Sequence, residues 1–208
     1  MFQFAEITLT TWSILAALVI LGIVLFIMTH NRQKWTTRMM ANASLGISLA
    51  FILSYVKLYE MPQGGSVTLA SMTPILMFSY AYGVAPGLMI GFAYGLLQFV
   101  QGGWFIHPVQ FLLDYPLAFA MLGFSGIARR LPDRWGMIPG VLLGVFLRFL
   151  CAFLTGIFFW GDGAGDQNVL MYSAVYNGTY LIPETVICLA VVMVPQIRRL
   201  AKQLSLTK

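Results

Sequence analysis

The chain has 208 residues, of which 59% are hydrophobic and 9% are charged, with a formal net charge of +5. Soluble domains contain about 25% charged residues, so this composition excludes a soluble globular protein and indicates an integral membrane protein. At roughly 20 residues per span, the length suits six or seven membrane helices with short loops and leaves no room for a soluble domain.

Seven apolar segments are predicted to be membrane-spanning helices. They lie at 12–29, 37–58, 67–82, 86–100, 108–128, 139–160 and 170–197. The fourth carries Gly87, Gly91 and Gly95, a spacing that allows close helix packing. The fifth begins with Pro108, which suits a first helical turn. The chain is therefore predicted to be all-α.

The basic residues predict the orientation of these spans. Of the 12 lysines and arginines, ten lie in the loops after spans one and five and in the tail, which share one side of the membrane. By the positive-inside rule that side is cytoplasmic, so the N-terminus lies outside and the C-terminus inside. The ten are Arg32, Lys34, Arg38, Arg129, Arg130, Arg134, Arg198, Arg199, Lys202 and Lys208. They are topology signals next to the lipid bilayer, and no nucleic-acid partner is needed to account for them.

One stretch, HPVQFLLDYP at 107–116, places polar side chains inside an apolar segment. His107, Gln110 and Asp114 are spaced i, i+3 and i+7, so they share one face of a helix. Asp114 lies roughly 10 Å along that helix. A carboxylate at this depth in a bilayer costs a few kcal/mol unless it faces protein or a water-filled cavity. Asp114 is therefore predicted to belong to a functional site.

The outer half of the bundle is predicted to form a pocket beside the outer loops at 61–66, 101–108 and 160–168. Aromatic faces and one carboxylate suit a flat organic cation, through cation–π attraction and stacking. The aromatic candidates are Trp104, Tyr115, Trp160, Tyr172, Tyr176 and Tyr180. Asn177, Gln110 and His107 are candidates for hydrogen bonds to a heterocycle.

The sequence also allows structural roles for these residues that involve no ligand. An aromatic belt at the outer interface would account for Trp104 and Trp160. An ion pair with Arg148, in the middle of the sixth span, would account for Asp114, and Glu184 is a second candidate partner for Arg148. A membrane-embedded structural or assembly protein would need no ligand at all.

Enzyme chemistry is not predicted. The chain contains no GxxxxGK[ST] phosphate loop, GxSxG elbow or HExxH motif. Its two histidines, His30 and His107, do not make a metal site. His107 and Asp114 lie about two helical turns apart, which is too far for direct acid–base pairing. No metal and no cofactor are predicted.

Four motifs resemble the thiamine-binding S-components of energy-coupling-factor (ECF) transporters. They are MPQGGS at 61–66, HPVQFLLDYPLAF at 107–119, GIFFW at 156–160 and YSAVYNGTYLIP at 172–183. The string HPVQFLLDY at its distance from YSAVYN is the most specific of them. The resemblance covers about residues 37–200.

This resemblance implies a six-helix substrate-binding membrane domain at 37–208. It would bind thiamine from outside with high affinity, as the substrate-specificity subunit of an ATP-driven vitamin transporter in the bacterial plasma membrane. The implied partners are an ECF transmembrane subunit and two ATPase subunits, which hydrolyse the ATP. The segment 1–36, with the first span and a basic loop, has no counterpart in the family core and is predicted to be an extra N-terminal transmembrane helix.

The resemblance also assigns residues of the thiamine site. Asp114 matches the acidic position beside the cationic thiazolium and is followed by the family's Tyr115, while Asn177 matches the asparagine that hydrogen-bonds the pyrimidine. The other matched positions are Trp160 and Tyr172, which sandwich the ligand rings, Trp104 in the loop before the fifth span, and Gly156 beside the ligand. His107, Gln110, Gln63 and Tyr176 belong to the motifs without an assigned contact.

Two further assignments concern the lid and the partner. The loop 61–66 corresponds to a lid whose glycines give it mobility. Some family members have tryptophan and glutamate in this region, where this chain has Gly64, Gly65 and Leu69, so its lid contacts differ. Small residues of the first core helix would contact the transmembrane partner, although they equally serve packing within one chain; they are Ala41, Ala43, Gly46 and Ala50.

A second transport mechanism is the alternative. The chain could act as a solo carrier for thiamine or a related pyrimidine, coupled to protons through Asp114 or Glu184.

Overall fold

The computed structural model describes residues 35–62, 64–104, 106–131 and 136–206. Several positions singled out in the sequence lie outside the described residues. They are the predicted first span at 12–29, the candidate Gln63, and the basic residues Arg32, Lys34, Arg134 and Lys208.

The described chain is a helical bundle with one β-hairpin after its first helix. Its helices and strands in chain order are α1 (Thr37–Ser54), β1 (Lys57–Glu60), β2 (Ser66–Thr68), α2 (Thr73–Tyr82), α3 (Val84–Val100), α4 (Pro108–Asp114), α5 (Pro116–Ala120), α6 (Ile138–Phe159), α7 (Val169–Met193) and α8 (Pro195–Leu206). A 3₁₀ helix, Met121–Arg130, continues α5, and a short 3₁₀ helix, Gly161–Ala164, follows α6.

The hairpin corrects the all-helical prediction. Helix α1 ends at Ser54, so residues 55–58 at the end of the predicted second span are not helical. Residues 67–72 at the start of the predicted third span are not helical either, and both segments form strands and turns. Strands β1 and β2 pair antiparallel, Tyr59 with Val67 and Glu60 with Ser66. The connecting turn includes Gly64 and Gly65 at φ values of 94° and 90°, where glycine has no Cβ to clash. Apolar composition favoured long helices here, but the glycine pair favours a chain reversal.

Three helical segments within the described ranges are long and apolar enough to cross a membrane. They are Pro108–Arg130, Ile138–Phe159 and Val169–Met193, and α3 is a shorter apolar helix. The first segment consists of α4, α5 and the longer 3₁₀ helix, which follow one another along the chain. Its α-helical run breaks at Tyr115, because the following Pro116 lacks a backbone N–H. These segments confirm the prediction of an integral membrane protein.

The predicted last span is too long at its C-terminal end. Helix α7 stops at Met193, and α8 begins at Pro195. The proline has no backbone N–H, so the hydrogen bonding of α7 cannot continue through it. In α8, Ala201 is fully buried, while Arg199 is exposed. This last helix therefore packs one face on the bundle and presents a basic face outwards.

Close packing around α3 positions the helices that carry the site. A Cβ at Gly95 would meet the carbonyl oxygen of Tyr115, and one at Gly91 would meet that of Phe119. Helix α3 therefore lies in backbone contact with the α4–α5 segment, which confirms the predicted role of the glycine spacing.

Candidate functional site

One end of the bundle contains a cavity of about 150 Å³, bounded by the hairpin turn and by helices α3 to α7. Most of the residues predicted for a site lie around it. Those that line it are Trp104, Gln110, Asp114, Tyr115, Gly156, Trp160, Tyr172, Tyr176, Asn177 and Tyr180. Segments far apart in the sequence thus meet at one cavity.

Asp114 lines this cavity at the end of α4 and is held by a neighbour on the same helix. Gln110 donates from Nε2 to Asp114 Oδ2 at 2.6 Å and accepts from the backbone N–H of Ile106 at 3.2 Å. The amide thus fixes the carboxylate relative to the loop before α4. Asp114 keeps acceptor capacity for a ligand, since an ionised carboxylate has two oxygens with about four lone pairs.

Aromatic rings form the wall of the cavity near the loops. Trp104 and Trp160 meet edge to face, with their ring centroids 5.1 Å apart. The Trp104 backbone N–H donates to Tyr115 Oη at 3.2 Å. Both indoles therefore line the cavity and contact each other, an arrangement that an interfacial belt alone would not require.

Asn177 lies deeper and its amide is oriented by the protein. Its Nδ2 donates to the carbonyl oxygens of Ala152 at 3.2 Å and Ser173 at 2.9 Å, and its Oδ1 accepts from Tyr180 Oη at 2.9 Å. Because carbonyl oxygens only accept, the amide nitrogen must face them. One lone pair of Asn177 Oδ1 is left for a ligand.

Helices α6 and α7 approach closely beside Asn177. A Cβ on Gly156 would collide with Ser173 Oγ and lie 3.4 Å from Asn177 Nδ2. Thr155 and Ser173, neither of which was predicted, line the cavity at the same level. Gly156 thus leaves room for the hydrogen bonds that hold the asparagine.

The hairpin turn closes over the cavity and rests on α7. Tyr176, Tyr180 and Glu184 are spaced i, i+4 and i+8, which places them on one face of that helix. Tyr176 Oη donates to the carbonyl of Gly64 at 3.0 Å, and a Cβ at Gly65 would lie 2.6 Å from the ring of Tyr180. Gly64 and Gly65 line the cavity, whereas Leu69 is exposed.

Glu184 holds the base of the same hairpin. The backbone N–H of Thr68 donates to Glu184 Oε2, and Thr68 Oγ1 donates to Oε1 at 2.6 Å. Glu184 is 2% exposed. The three α7 side chains therefore hold the hairpin from its turn to the end of β2.

Arg148 is the lining residue of α6 farthest from Trp160. Its Nη1 donates to the sulfur of Met72 at 2.6 Å, and its guanidinium carbon lies 4.0 Å from the centroid of the Phe119 ring. The direct ion pair considered from the sequence does not form, because neither Asp114 nor Glu184 lies within 4.0 Å of its nitrogens. Both carboxylates still attract it across a longer distance.

His107 has a structural position outside the cavity lining. Its Nδ1 accepts from the backbone N–H of Val109 at 3.1 Å, so it caps the first turn of α4. Its ring is buried and stacks on Phe159 at 5.3 Å. Gln110, from the same motif, does line the cavity.

Sequence reasoning missed Gln98, which lines the cavity from α3. Its Nε2 donates to Ser54 Oγ and to Gln101 Oε1, both at 2.9 Å. The signal was present, because an amide in an otherwise apolar helix needs partners for the same reason that Asp114 does.

The small residues of α1 do not form one exposed surface. Ala43 and Ala50 are 6% and 0% exposed and pack inside the chain. Gly46 is partly buried, with a Cβ position 3.8 Å from the carbonyl of Pro74, and Ala41 is exposed.

Known proteins resemble this chain in both sequence and fold. The family model described as thiamine transporter protein (Thia_YuaJ) matches residues 40–204. The chain is 35% identical over 173 residues to the thiamine transporter ThiT of Bacillus subtilis, covering 76% of this chain and 89% of that protein. It is 28% identical over 137 residues to ThiT of Lacticaseibacillus paracasei, covering 58% of this chain and 68% of that protein.

The fold has a solved counterpart. A structure of ThiT from Listeria monocytogenes superimposes with a TM-score of 0.67, covering 80% of this chain and 96% of that chain at 20% identity. That likeness concerns the fold alone.

The helical fold defines a multi-pass membrane protein with a cavity at one end of its bundle. The family match over residues 40–204 is more specific: the chain belongs to the thiamine transporter family. This membership confirms the resemblance drawn from the four motifs and places the protein in the cell membrane.

Proposed function

We propose that this chain binds thiamine in the cavity as the substrate-specificity subunit of an ECF transporter. The observation that carries the proposal is the combination of Asp114 with the Trp104–Trp160 pair around one cavity in a chain of this family. A carboxylate held within a membrane bundle next to aromatic faces suits a flat cationic heterocycle.

Most of the predicted site residues have a role in this proposal. Asp114 neutralises the thiazolium, with Tyr115 and Trp104 beside it. Trp160 and Tyr172 stack on the ligand rings, Gly156 leaves space for them, and Asn177 accepts a hydrogen bond from the pyrimidine. The turn with Gly64 and Gly65 acts as the lid, tied down by Tyr176, and His107 supports the site only by capping α4.

The proposed assembly follows the sequence prediction. The chain crosses the membrane seven times, with its N-terminus outside and its C-terminus inside. The segment 1–36 is an extra helix, and 37–208 is the substrate-binding unit. A separate ECF transmembrane subunit contacts the exposed part of α1, where Ala41 lies, and two ATPase subunits hydrolyse ATP.

Tryptophan fluorescence of the purified chain in detergent tests the binding function. Thiamine should cause saturable quenching, because Trp104 and Trp160 line the cavity. Trp160→Phe should lose much of the signal, whereas Trp35→Phe, outside the cavity lining, should keep it. Absence of saturable quenching in the unmodified chain would overturn the proposal.

Uptake measurements separate the subunit from a solo carrier. Cells that express the chain with the ECF transmembrane and ATPase subunits should accumulate thiamine, and cells that lack those subunits should not. Equal uptake in both would favour the solo or proton-coupled carrier instead.

A further inference from the structure

Arg148 places a positive charge at the inner part of the cavity, where a cationic ligand would not be expected to need one. A guanidinium has five N–H donors, and within the described residues this one makes a single hydrogen bond, to the sulfur of Met72. None of its nitrogens is both buried and unpartnered. Because Arg148 lines the cavity, its remaining donors are available to a ligand there.

The charge of Arg148 is compatible with a cationic ligand. Asp114 and Glu184 are the two carboxylates that attract it, and together the three groups carry one net negative charge when both acids are ionised. A bound monocation brings this sum to zero. Arg148 can thus contact the uncharged part of the ligand while Asp114 faces the charged part.

Arg148 and Asn177 meet the cavity at neighbouring levels. Asn177 is tied to the carbonyl of Ala152, which is four residues, or one helical turn, from Arg148 on α6. Asn177 offers an acceptor, since both hydrogens of its amide nitrogen are engaged by carbonyl oxygens. Arg148 offers donors. Both side chains line the same cavity, so a heterocycle beside Asn177 has an acceptor and a donor available to it.

We propose that Arg148 is a specificity-determining residue that donates to a ring nitrogen of the ligand, while Asn177 accepts from the adjacent amino group. This inference rests on the proposed thiamine function. An amino group next to an unprotonated ring nitrogen is the edge that an aminopyrimidine presents. Replacing the amino group by a carbonyl moves a hydrogen onto the ring nitrogen. The carbonyl oxygen would then face the Asn177 acceptor, and the ring N–H would face the Arg148 donor.

The test compares three ligands by equilibrium binding. Oxythiamine has the carbonyl and the protonated ring nitrogen, whereas pyrithiamine keeps the aminopyrimidine and changes the cationic ring. The unmodified chain should bind oxythiamine on the order of 100-fold more weakly than thiamine, because two hydrogen bonds become mispaired in a desolvated site. Pyrithiamine should bind more tightly than oxythiamine, because it keeps both the aminopyrimidine edge and a positive charge.

Arg148→Met should reduce the preference for thiamine over oxythiamine by about tenfold, which is the loss of one hydrogen bond from a charged donor. The preference for thiamine over pyrithiamine should stay unchanged, and a merely structural loss would not separate these two ratios. Arg148→Lys keeps the charge and one donor and should retain more of the discrimination. Arg129→Met, an exposed arginine outside the cavity lining, should leave both ratios unchanged.

The possible failures are distinguishable. If the unmodified chain does not bind thiamine, the proposed function itself is wrong. If it binds thiamine but Arg148→Met keeps the full preference over oxythiamine, only the role of Arg148 is wrong. A ratio of affinities does not depend on the folded fraction, so partial misfolding of a variant does not obscure the result.

Discussion

Thr68 and Glu184, 116 positions apart in the sequence, join the hairpin to α7 through two hydrogen bonds to one buried carboxylate. Each oxygen of Glu184 accepts one donor of Thr68, from its backbone N–H and from its hydroxyl. Thr68 ends β2, and β2 leads back to Gly65 and Ser66 at the cavity. The position of the hairpin turn over the cavity, the proposed lid, therefore depends on a contact outside the cavity lining.

Glu184→Gln should loosen the lid without removing any group that touches the ligand. The carboxamide nitrogen would face one of the two donors, and leaving a buried donor without an acceptor costs about 1–3 kcal/mol. Thiamine should then dissociate about tenfold faster, as expected for a loss of about 1.4 kcal/mol. Stopped-flow tryptophan fluorescence measures this rate.

Glu60→Gln is the matched control for that variant. Glu60 lies on the other strand of the hairpin and pairs with Lys57 at 2.6 Å on the exposed surface. Exposed ion pairs contribute about 0–1 kcal/mol, so dissociation should be nearly unchanged. Equal rates in the unmodified chain and in Glu184→Gln would show that the hairpin position does not control release.

Gly65→Ala and Gly64→Ala form a second matched pair. Both glycines have φ near 90°, so alanine strains the backbone by a similar amount at each, on the order of 1–3 kcal/mol. The Cβ at position 65 would also meet the ring of Tyr180, whereas the one at position 64 meets nothing within 4 Å. Gly65→Ala should therefore weaken thiamine binding clearly more than Gly64→Ala does. Isothermal titration of both variants measures the difference, and equal affinities would mean that contact with Tyr180 is unimportant for the lid.

Asp114→Asn should weaken thiamine binding by roughly 30-fold or more, because loss of one partner of a desolvated charge pair costs about 2–5 kcal/mol. The uncharged hydroxymethyl aminopyrimidine lacks the thiazolium and should lose little affinity. Asp162→Asn, an exposed residue of the short 3₁₀ helix after α6, should change neither value. Equal losses for thiamine and the uncharged ligand in Asp114→Asn would contradict the counter-ion role.

The sequence predicted the cavity better than it predicted the elements around it. Asp114 stood out because a charge inside an apolar segment has few stable environments, and the aromatic candidates followed from their distance to the same loops. Periodicity gave no sign of the hairpin. Its strands are short and lie between two apolar runs, and Thr68 at the end of β2 is held by Glu184, which is far away in the sequence.

Long-range hydrogen-bond partners could not be predicted from the sequence either. The sequence left open whether Asp114 or Glu184 pairs with Arg148. Neither does, because Glu184 accepts from Thr68 and Asp114 accepts from Gln110. Gln110 and Asp114 are four residues apart, so their contact follows from helix geometry. The Glu184 contact is long-range and appears only in the folded chain.

Gly156→Ala tests whether the close approach of α6 and α7 shapes the site. The added methyl group would collide with Ser173 Oγ, which accepts a hydrogen bond from Asn177 Nδ2 at 3.3 Å. Overpacking of this kind costs typically about 1–3 kcal/mol, and the shift should displace the Asn177 amide from the carbonyl of Ala152. We expect thiamine affinity to fall by about tenfold or more, with a smaller loss for ligands that lack the pyrimidine amino group.

Gly161→Ala, just beyond the same helix, is the matched control. It adds a methyl group at ordinary contact distance from Val169, 3.6 Å, and should bind thiamine normally. Titration of both variants decides the point, because normal affinity in Gly156→Ala would show that the site tolerates a wider separation of the two helices.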